Sequence, residues 1–178
     1  MNEKQKARLI LKTLNKIYPK TPIPLKHNNK FTLLISVLLS AQCTDLNVNN
    51  VTKKIYPKYY TPKHFVKLGR KNIERLIKSI GIFRIKAKSI YLTSKKILKD
   101  HNGKVPKSFE ALEELPGVGH KTASVVMSQG FGFPAFAVDT HIHRLAQRWG
   151  LTRGKNVVQT EKDLKRIFPE KTWNKLHL

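Results

Sequence analysis

Apolar side chains recur every three or four residues through most of this chain, and this spacing constrains the fold more than any other feature. An α-helix turns once in about 3.6 residues, so side chains at this spacing lie on one face and are buried together. No segment shows the two-residue alternation of a half-buried β-strand. Clear examples are Ala7, Ile10, Leu11, Leu14 and Ile17, and then Ala87, Ile90, Tyr91, Ser94, Ile97 and Leu98. The sequence therefore predicts an all-α protein with about ten short helices.

Residues that start and stop helices lie between these segments. Thr61 followed by Pro62 is a typical helix start, and so is Ser108. Thr160 and Asp163 have the spacing of a capping box, which would also start a helix. Helix ends are predicted at Gly81, Gly103 and Gly150. The connections are short, so we expect either one compact body or two abutting helical lobes.

The longest mostly apolar segment, residues 31–41, is shorter than the ~20 residues that a membrane-spanning helix needs. We predict a buried core helix there and no membrane partner. Cys43 is the one cysteine of the chain, so it has no disulfide partner within it. The amino terminus also lacks the pattern of a secretory signal. These features favour a reducing compartment, and we expect a cytoplasmic, nucleoid-associated protein.

The chain is strongly basic, with 35 lysine and arginine residues against 11 acidic ones and a net charge of +24. Such a charge repels itself in a compact protein unless the working partner is a polyanion. Nucleic acid is the natural candidate. The alternative is a compositional bias toward lysine on an ordinary solvated surface, and charge alone leaves that alternative open.

The segment LPGVG at residues 115–119 predicts a helix-hairpin-helix. Gly117 and Gly119 would permit backbone angles and a close approach that a side chain would block. Amide groups at the start of the second helix would then point outward and bind a DNA phosphate without reading the base sequence. The alternative is a plain connection between two helices that uses glycine in its turn.

Lys121 would lie in the first turn of that second helix, beside the anchored DNA strand. The positive end of the helix dipole disfavours a cation there, and an uncharged amine is the form that acts as a nucleophile. The alternative is a lysine that contacts phosphate or only solvent. Without a resemblance to a known family, the position of Lys121 after the hairpin is the only reason to select it among the lysines.

The acidic residues are sparse, so their positions are informative. Asp45 is the only one between residues 4 and 73, and Asp139 is the only one between residues 115 and 160. Both look like helix starts, where a carboxylate acts as a cap. Asp139 follows an apolar run, and a carboxylate held partly out of water could also stabilise positive charge on a reacting sugar or direct a proton. Capping without a further function is the alternative for each.

His141 and His143 are two residues apart, so on a helix they point to different faces. A shared metal ion is therefore not expected, and no zinc site is predicted.

Four segments, in this order, resemble the endonuclease III family. They are SVLLSAQCTD at 36–45, SIGIFRIKA at 79–87, LPGVGHKTASVV at 115–126 and FAVDTHIHRLAQR at 136–148. The resemblance covers nearly the whole chain and implies the fold of the helix-hairpin-helix DNA glycosylases, with two all-α lobes flanking a DNA cleft. Residues 18–135 would then form a six-helix lobe with the hairpin at roughly 108–130. Residues 1–17 and 136–178 would form the second lobe.

The resemblance also implies a function. It predicts a base excision repair DNA glycosylase with abasic-site lyase activity, acting as a monomer on double-stranded DNA that carries an oxidised pyrimidine or an abasic site. Lys121 matches the family's nucleophilic lysine and Asp139 its essential aspartate. Gln42 matches the residue that fills the gap left by a flipped base, and Ile82 matches the apolar wedge. From the residues alone, Ile82 would be placed in the core and Gln42 among polar surface groups.

The chain departs from the family at the carboxyl end. The family continues there with a last helix and a four-cysteine loop that holds a four-iron, four-sulfur cluster. Cys43 alone cannot supply four ligands, so we expect no cofactor on these residues and an incomplete second lobe.

Two other functions stay open. One is a non-catalytic helix-hairpin-helix DNA-binding remnant, and the other is a related glycosylase with a different base specificity. The adenine-specific branch is expected to lack a lysine at the position of Lys121 and to carry a catalytic glutamate near Gln42. Both features argue against that branch.

Overall fold

A computed structural model of the chain describes residues 2–177, and within them every regular element is helical. The helices are α1 (Glu3–Ile17), α2 (Lys30–Ser40), α3 (Asp45–Ile55), α4 (Pro62–Leu68), α5 (Arg70–Leu76), α6 (Phe83–Asp100), α7 (Phe109–Glu113), α8 (His120–Val125), α9 (Thr140–Arg148), α10 (Val157–Ile167) and α11 (Trp173–Leu176). A π-helical turn (Val126–Gly130) continues α8, and a 3₁₀ turn (Glu170–Thr172) precedes α11. The predicted all-α class is confirmed. No helix among the described residues has both the length and the apolar character needed to cross a membrane.

The chain divides into two compact units. We refer to Pro24–Phe131 as the central unit, and to Met1–Ile23 together with Gly132–Leu178 as the terminal unit. The central unit contains α2 to α8, and the terminal unit contains α1 and α9 to α11.

The core of the central unit is built around α2, in which nine of eleven residues are buried. A helix that is apolar on all sides belongs in the interior. The polar groups that it buries are bonded: Tyr56 Oη lies 2.7 Å from Ser36 Oγ and donates to the Thr32 carbonyl at 2.9 Å. Asn29 and Thr32 form a capping box that starts the helix. The predicted core helix at residues 31–41 is confirmed.

The terminal unit has a smaller core of buried apolar side chains. Its members are Ala7, Phe136, Val138, Ala146, Leu151, Leu164 and Phe168. They come from α1, α9, α10, the segment before α9 and the residues just after α9 and α10, so distant parts of the sequence share one core. The rings of Phe136 and Phe168 lie 6.2 Å apart between centroids, within the range of favourable aromatic pairs.

Several predicted helix boundaries are confirmed. Thr61 caps α4, with Pro62 as the first helical residue, and Ser108 caps α7 by accepting from the Ala111 amide at 3.2 Å. Gly150 follows the end of α9 and has a φ of 62°, as a helix-ending glycine does.

Two boundary predictions are wrong. Asn156 caps α10, so Thr160 lies inside that helix, where it is buried and its Oγ1 lies 2.7 Å from His143 Nδ1. A cap one turn earlier satisfies the first amides, so Thr160 is available for a tertiary contact. Gly81 does not end a helix, because α5 ends at Leu76 and Gly81 comes directly before the cap of α6.

Candidate functional site

The hairpin lies between α7 and α8 in the central unit. Leu115 and Val118 are buried and hold the turn against the core. The Pro116 carbonyl accepts a hydrogen bond from Thr93 Oγ1 on α6 at 2.9 Å. His120, the first residue of α8, lies 2.7 Å from Glu113 at the end of α7, measured from its Nδ1 to Oε1. The turn is therefore tied both to the neighbouring helix and across the hairpin itself.

The two hairpin glycines differ in what the protein itself requires. Gly117 has a φ of 83°, and a Cβ there would lie 2.8 Å from both Cβ and Oγ of Ser89. Gly119 has a φ of −94°, and a Cβ there would meet nothing within 4 Å. The positive φ and close approach at Gly117 agree with the prediction for that residue, whereas at Gly119 the backbone is extended and no described residue of the chain itself excludes a side chain. Only an external partner would require the absence of a side chain there.

Lys121 is the second residue of α8 and is exposed. Gly119 caps this helix without a side-chain hydrogen bond. The small residues Ala123 and Ser124 are buried and pack the next turn closely, and the helix then widens into the π-helical turn. Such π-helical turns occur often at functional sites. The structure thus presents Lys121 on the solvent side of a short helix whose opposite face is anchored in the core.

Asp139 caps α9 in the terminal unit. Its Oδ1 accepts hydrogen bonds from the backbone amides of His141 and Ile142, both at 2.9 Å. It follows a buried extended segment, and its own side chain is half-buried. The capping role considered from the sequence is therefore confirmed, and the cap fixes the carboxylate at one position.

A hollow of about 310 Å³ lies beside Asp139 within the terminal unit. Apolar side chains supply most of its lining, including Ile142 and Leu145 on α9 and Trp149, the residue after its end. Asp45, the other isolated acid, is the first residue of α3, and its neighbour Thr44 is the cap.

Gln42 and Ile82, which we refer to as the exposed pair, lie on two adjoining turns of the central unit. A Cβ added at Gly81 would lie 3.6 Å from the Gln42 carbonyl oxygen, so the two turns are close together. Asn47 Nδ2 also donates a hydrogen bond to the Ser79 carbonyl at 3.1 Å. Gln42 is exposed, and Ile82 keeps 50% of its surface accessible. The alternative that Ile82 is a core residue is therefore excluded.

Both residues of the exposed pair have left-handed backbones, with φ of 53° for Gln42 and 49° for Ile82. This conformation is uncommon for any residue except glycine and is an outlier for a β-branched one. Each such residue costs about 1–3 kcal/mol and persists only where the surrounding structure holds it. Such strain is found at binding sites more often than elsewhere.

Lys86 was not singled out from the sequence. It is buried, and its Nζ donates to the carbonyls of Leu39 at 2.9 Å and Ala41 at 2.6 Å, at the end of α2. Burial lowers the pKa of Lys86 below its usual value, and the nearby Cys43 partly opposes this. No signal in the sequence marks Lys86, because its two carbonyl acceptors lie 45 and 47 positions away along the chain.

The residues present do not fit the iron–sulfur cluster that the resemblance implies. Such a cluster needs four cysteine thiolates, and these 178 residues contain one cysteine. Among residues 2–177, no three side chains of His, Cys, Asp or Glu are grouped to hold a metal ion.

The chain matches a known family over most of its length. The model of the HhH-GPD superfamily base excision DNA repair proteins matches residues 35–170. Endonuclease III of Bacillus subtilis (strain 168) is 43% identical over 178 residues, which cover 99% of this chain and 81% of that protein. Endonuclease III of Escherichia coli (strain K12) is 45% identical over 166 residues, which cover 93% and 79%.

Solved structures give the same result. A trapped covalent intermediate of endonuclease III with DNA, an estranged-adenine complex, has a TM-score of 0.94 and 43% identity, and the match covers 99% of this chain and 84% of that one. A thermostable thymine-DNA glycosylase has a TM-score of 0.85 at 22% identity, which shows likeness of fold alone. The chain belongs to the endonuclease III family, within the HhH-GPD superfamily of base excision DNA repair proteins, and is a base excision DNA repair enzyme.

Proposed function

We propose that this enzyme is a DNA glycosylase with abasic-site lyase activity, which removes oxidised pyrimidines from double-stranded DNA and nicks the strand by β-elimination. The observation that carries the proposal is the position of Lys121. It is exposed in the first turn of α8, directly after a hairpin turn that only glycine fits at position 117. The match to endonuclease III supports the same role.

The hairpin is the proposed anchor for one DNA phosphate. At Gly119 the protein leaves open space where a side chain would stand. A backbone without a Cβ lets a phosphate approach the first amides of α8, and the positive end of the helix favours its charge. This contact holds the strand in place without selecting a base sequence.

The exposed pair is the proposed means of opening the duplex. The C1′ atom of a stacked nucleotide is shielded, so the damaged base must leave the helix before the sugar is attacked. Ile82 supplies an apolar wedge, and Gln42 supplies an amide that can hydrogen-bond to the base left without a partner. The surrounding structure holds both backbones in the left-handed conformation, and this sets the direction in which each side chain leaves the backbone before DNA arrives.

The chemistry begins when the uncharged Lys121 amine attacks C1′ of the extruded nucleotide. A bond forms between Nζ and C1′ while the bond from C1′ to the base breaks, and the base leaves with a proton. Opening of the sugar ring then gives a Schiff base, which acidifies the C2′ proton. Removal of that proton expels the 3′ phosphate oxygen from C3′ and breaks the strand. Water finally hydrolyses the Schiff base and releases Lys121.

Asp139 is the proposed carboxylate partner in this reaction. Two backbone amides fix its position, as a preorganised charge requires. A fixed negative charge stabilises the sugar as it becomes positive, and it can direct the proton from the attacking amine.

Borohydride trapping tests the function directly. A labelled duplex with one abasic site is mixed with protein and borohydride, which reduces a Schiff base to a stable amine. We expect a covalent adduct for the wild type, with the DNA mapped to Lys121 by peptide analysis. Lys121→Gln should bind the duplex without forming this adduct. Lys99→Gln is the matched control, because it removes the same charge from an exposed site at the far end of α6.

Three outcomes would contradict the proposal. An adduct on another lysine would show that Lys121 is not the nucleophile. Binding without any cleavage would leave a hairpin DNA-binding module instead of an enzyme. Activity on an adenine mispair and none on thymine glycol would indicate a different base specificity.

In the cell, a DNA substrate would place this enzyme with the nucleoid in the cytoplasm, where we propose that it acts as a monomer.

A further inference from the structure

Lys86 is the one lysine or arginine that is buried among the described residues of this very basic chain. Taking an ammonium group out of water is costly unless strong acceptors replace the water. Lys86 has two such acceptors, the backbone carbonyls of Leu39 and Ala41. A cation at the end of α2 also interacts favourably with the negative end of that helix. The backbone groups that Lys86 stabilises therefore lie at the end of α2 and in the turn that follows it.

That turn contains Gln42, and both of its neighbours are held. Ala41 is held through its carbonyl by Lys86, and the Cys43 amide donates to the Ser40 carbonyl at 3.0 Å. Between these two bonds the backbone of Gln42 has its left-handed conformation. Without the ammonium group, the Ala41 carbonyl would lose the partner that fixes its direction.

The same lysine is linked to the other member of the exposed pair. The Lys86 backbone amide donates to the Ile82 carbonyl at 3.2 Å, so Lys86 lies one helical turn after Ile82. Its backbone thus belongs to the helix that begins at Ile82, and its side chain reaches the turn that carries Gln42. One residue connects the two strained positions.

The same face of α6 continues to the hairpin. Ser89 lies against Gly117, and Thr93 donates to the Pro116 carbonyl. Residues at 86, 89 and 93 follow the spacing of one helix face, and seven residues of helix span about 10 Å. This helix therefore ties the turn of Gln42 and the hairpin turn to one rigid element.

We propose that Lys86 is a positioning residue that holds Gln42 and Ile82 in one fixed arrangement for insertion into damaged duplex DNA. The residue acts through the carbonyls of Leu39 and Ala41 and through the start of α6, without touching DNA. The inference rests on the proposed function of the exposed pair. It predicts that Lys86 matters for discrimination of a damaged duplex from an undamaged one.

The test uses Lys86→Met, which keeps most of the unbranched apolar side chain and removes the ammonium donors. We expect binding to a duplex with a stable abasic-site analogue to weaken about tenfold, because DNA binding would then have to order the turn that Lys86 holds in the wild type. Binding to an undamaged duplex should change less than about twofold. Lys86→Arg keeps the cation and should restore part of the loss, and Lys88→Met is the control at an exposed site on the same helix.

A double-mutant cycle separates positioning from a general loss of structure. If Lys86 acts through Gln42, then Lys86→Met should add little to the abasic-site binding defect of Gln42→Ala. Fluorescence of 2-aminopurine opposite the abasic site gives a second readout, because insertion of Gln42 disturbs that base. The inference would be overturned if the binding defects of Lys86→Met and Gln42→Ala multiplied in the double variant and Lys86→Met gave the same fluorescence response as the wild type.

Amide exchange without DNA keeps the inference testable if the proposed function fails. The Cys43 amide should exchange faster in Lys86→Met, while the Val48 amide in α3 keeps its rate. Equal rates at Cys43 in both proteins would show that Lys86 does not hold the turn. Absence of a borohydride adduct in the wild type would instead contradict the lyase activity and leave this result standing.

Discussion

Replacing Gly117 with alanine should destabilise the protein, whereas the same change at Gly119 should not. Two terms add at Gly117. A left-handed backbone costs an alanine about 1–2 kcal/mol. The new Cβ would also lie 2.8 Å from Ser89 Cβ, an atom fixed to the α6 backbone, and overpacking of this kind costs about 1–3 kcal/mol. The expected loss for Gly117→Ala is therefore about 2–5 kcal/mol.

Gly119→Ala serves as the matched control because it adds the same atom two residues away. Its backbone suits alanine and its Cβ would meet nothing within 4 Å. The smaller number of unfolded conformations favours the variant by about 0.4–1 kcal/mol. The poorer N-cap preference of alanine opposes this gain, so the stability should change little. If Gly119 faces a phosphate, however, this variant should bind duplex DNA more weakly than the wild type.

Urea unfolding followed by circular dichroism measures both variants, and a filter-binding titration measures their DNA affinity. Ser89→Gly in the Gly117→Ala background should recover the part of the loss that comes from the overlap, but not the backbone part. A Gly117→Ala protein within about 0.5 kcal/mol of the wild type, the usual range of neutral surface changes, would refute the reasoning.

Asp139→Asn should keep the α9 cap and its stability yet lose about 10²–10³-fold in cleavage rate, whereas Asp139→Ala should also lose about 1 kcal/mol of stability. Single-turnover kinetics measure the first effect and urea unfolding the second. Full activity in Asp139→Asn would show that Asp139 serves only as a helix cap. Binding to undamaged duplex should weaken steeply with salt, with a log–log slope several times the value of about −0.9 for one phosphate contact, and a slope near that single value would mean that most of the +24 charge is solvated surface. Burial raises the pKa of the Tyr56 phenol by more than its Ser36 hydrogen bond lowers it, so at alkaline pH the folded state keeps a proton that the unfolded chain loses. The contribution of Tyr56 to stability is therefore complete below about pH 10 and falls as the pH rises further. Tyr56→Phe should flatten this alkaline fall in urea midpoints measured from pH 8 to 11.

The sequence by itself determined the helical class, the hairpin and the family, because these depend on local rules. Helix caps such as Ser108 bond to amides three residues away, and apolar spacing needs only the 3.6-residue turn. The hairpin motif is contained in five consecutive residues. Each motif likewise lies within one short segment of sequence, and these motifs contain Gln42, Ile82, Lys121 and Asp139.

Only the tertiary structure decided which of these residues are held, strained or exposed. Ile82 has a side chain suited to the core, yet it is half exposed on a left-handed turn. Gly117 is required because of Ser89, which is 28 positions earlier in the numbering. Thr160 resembled a cap until the structure placed it inside α10 against His143.

Lys86 shows the physical reason most clearly. Nothing distinguishes it from the other lysines in sequence, because the carbonyls that it binds are 45 and 47 positions away. Those carbonyls became available only when α2 ended beside α6. The spacing of residues along a chain specifies the bonds within a helix, but the partner of a buried charge depends on how separate helices pack, and packing is a property of the whole core.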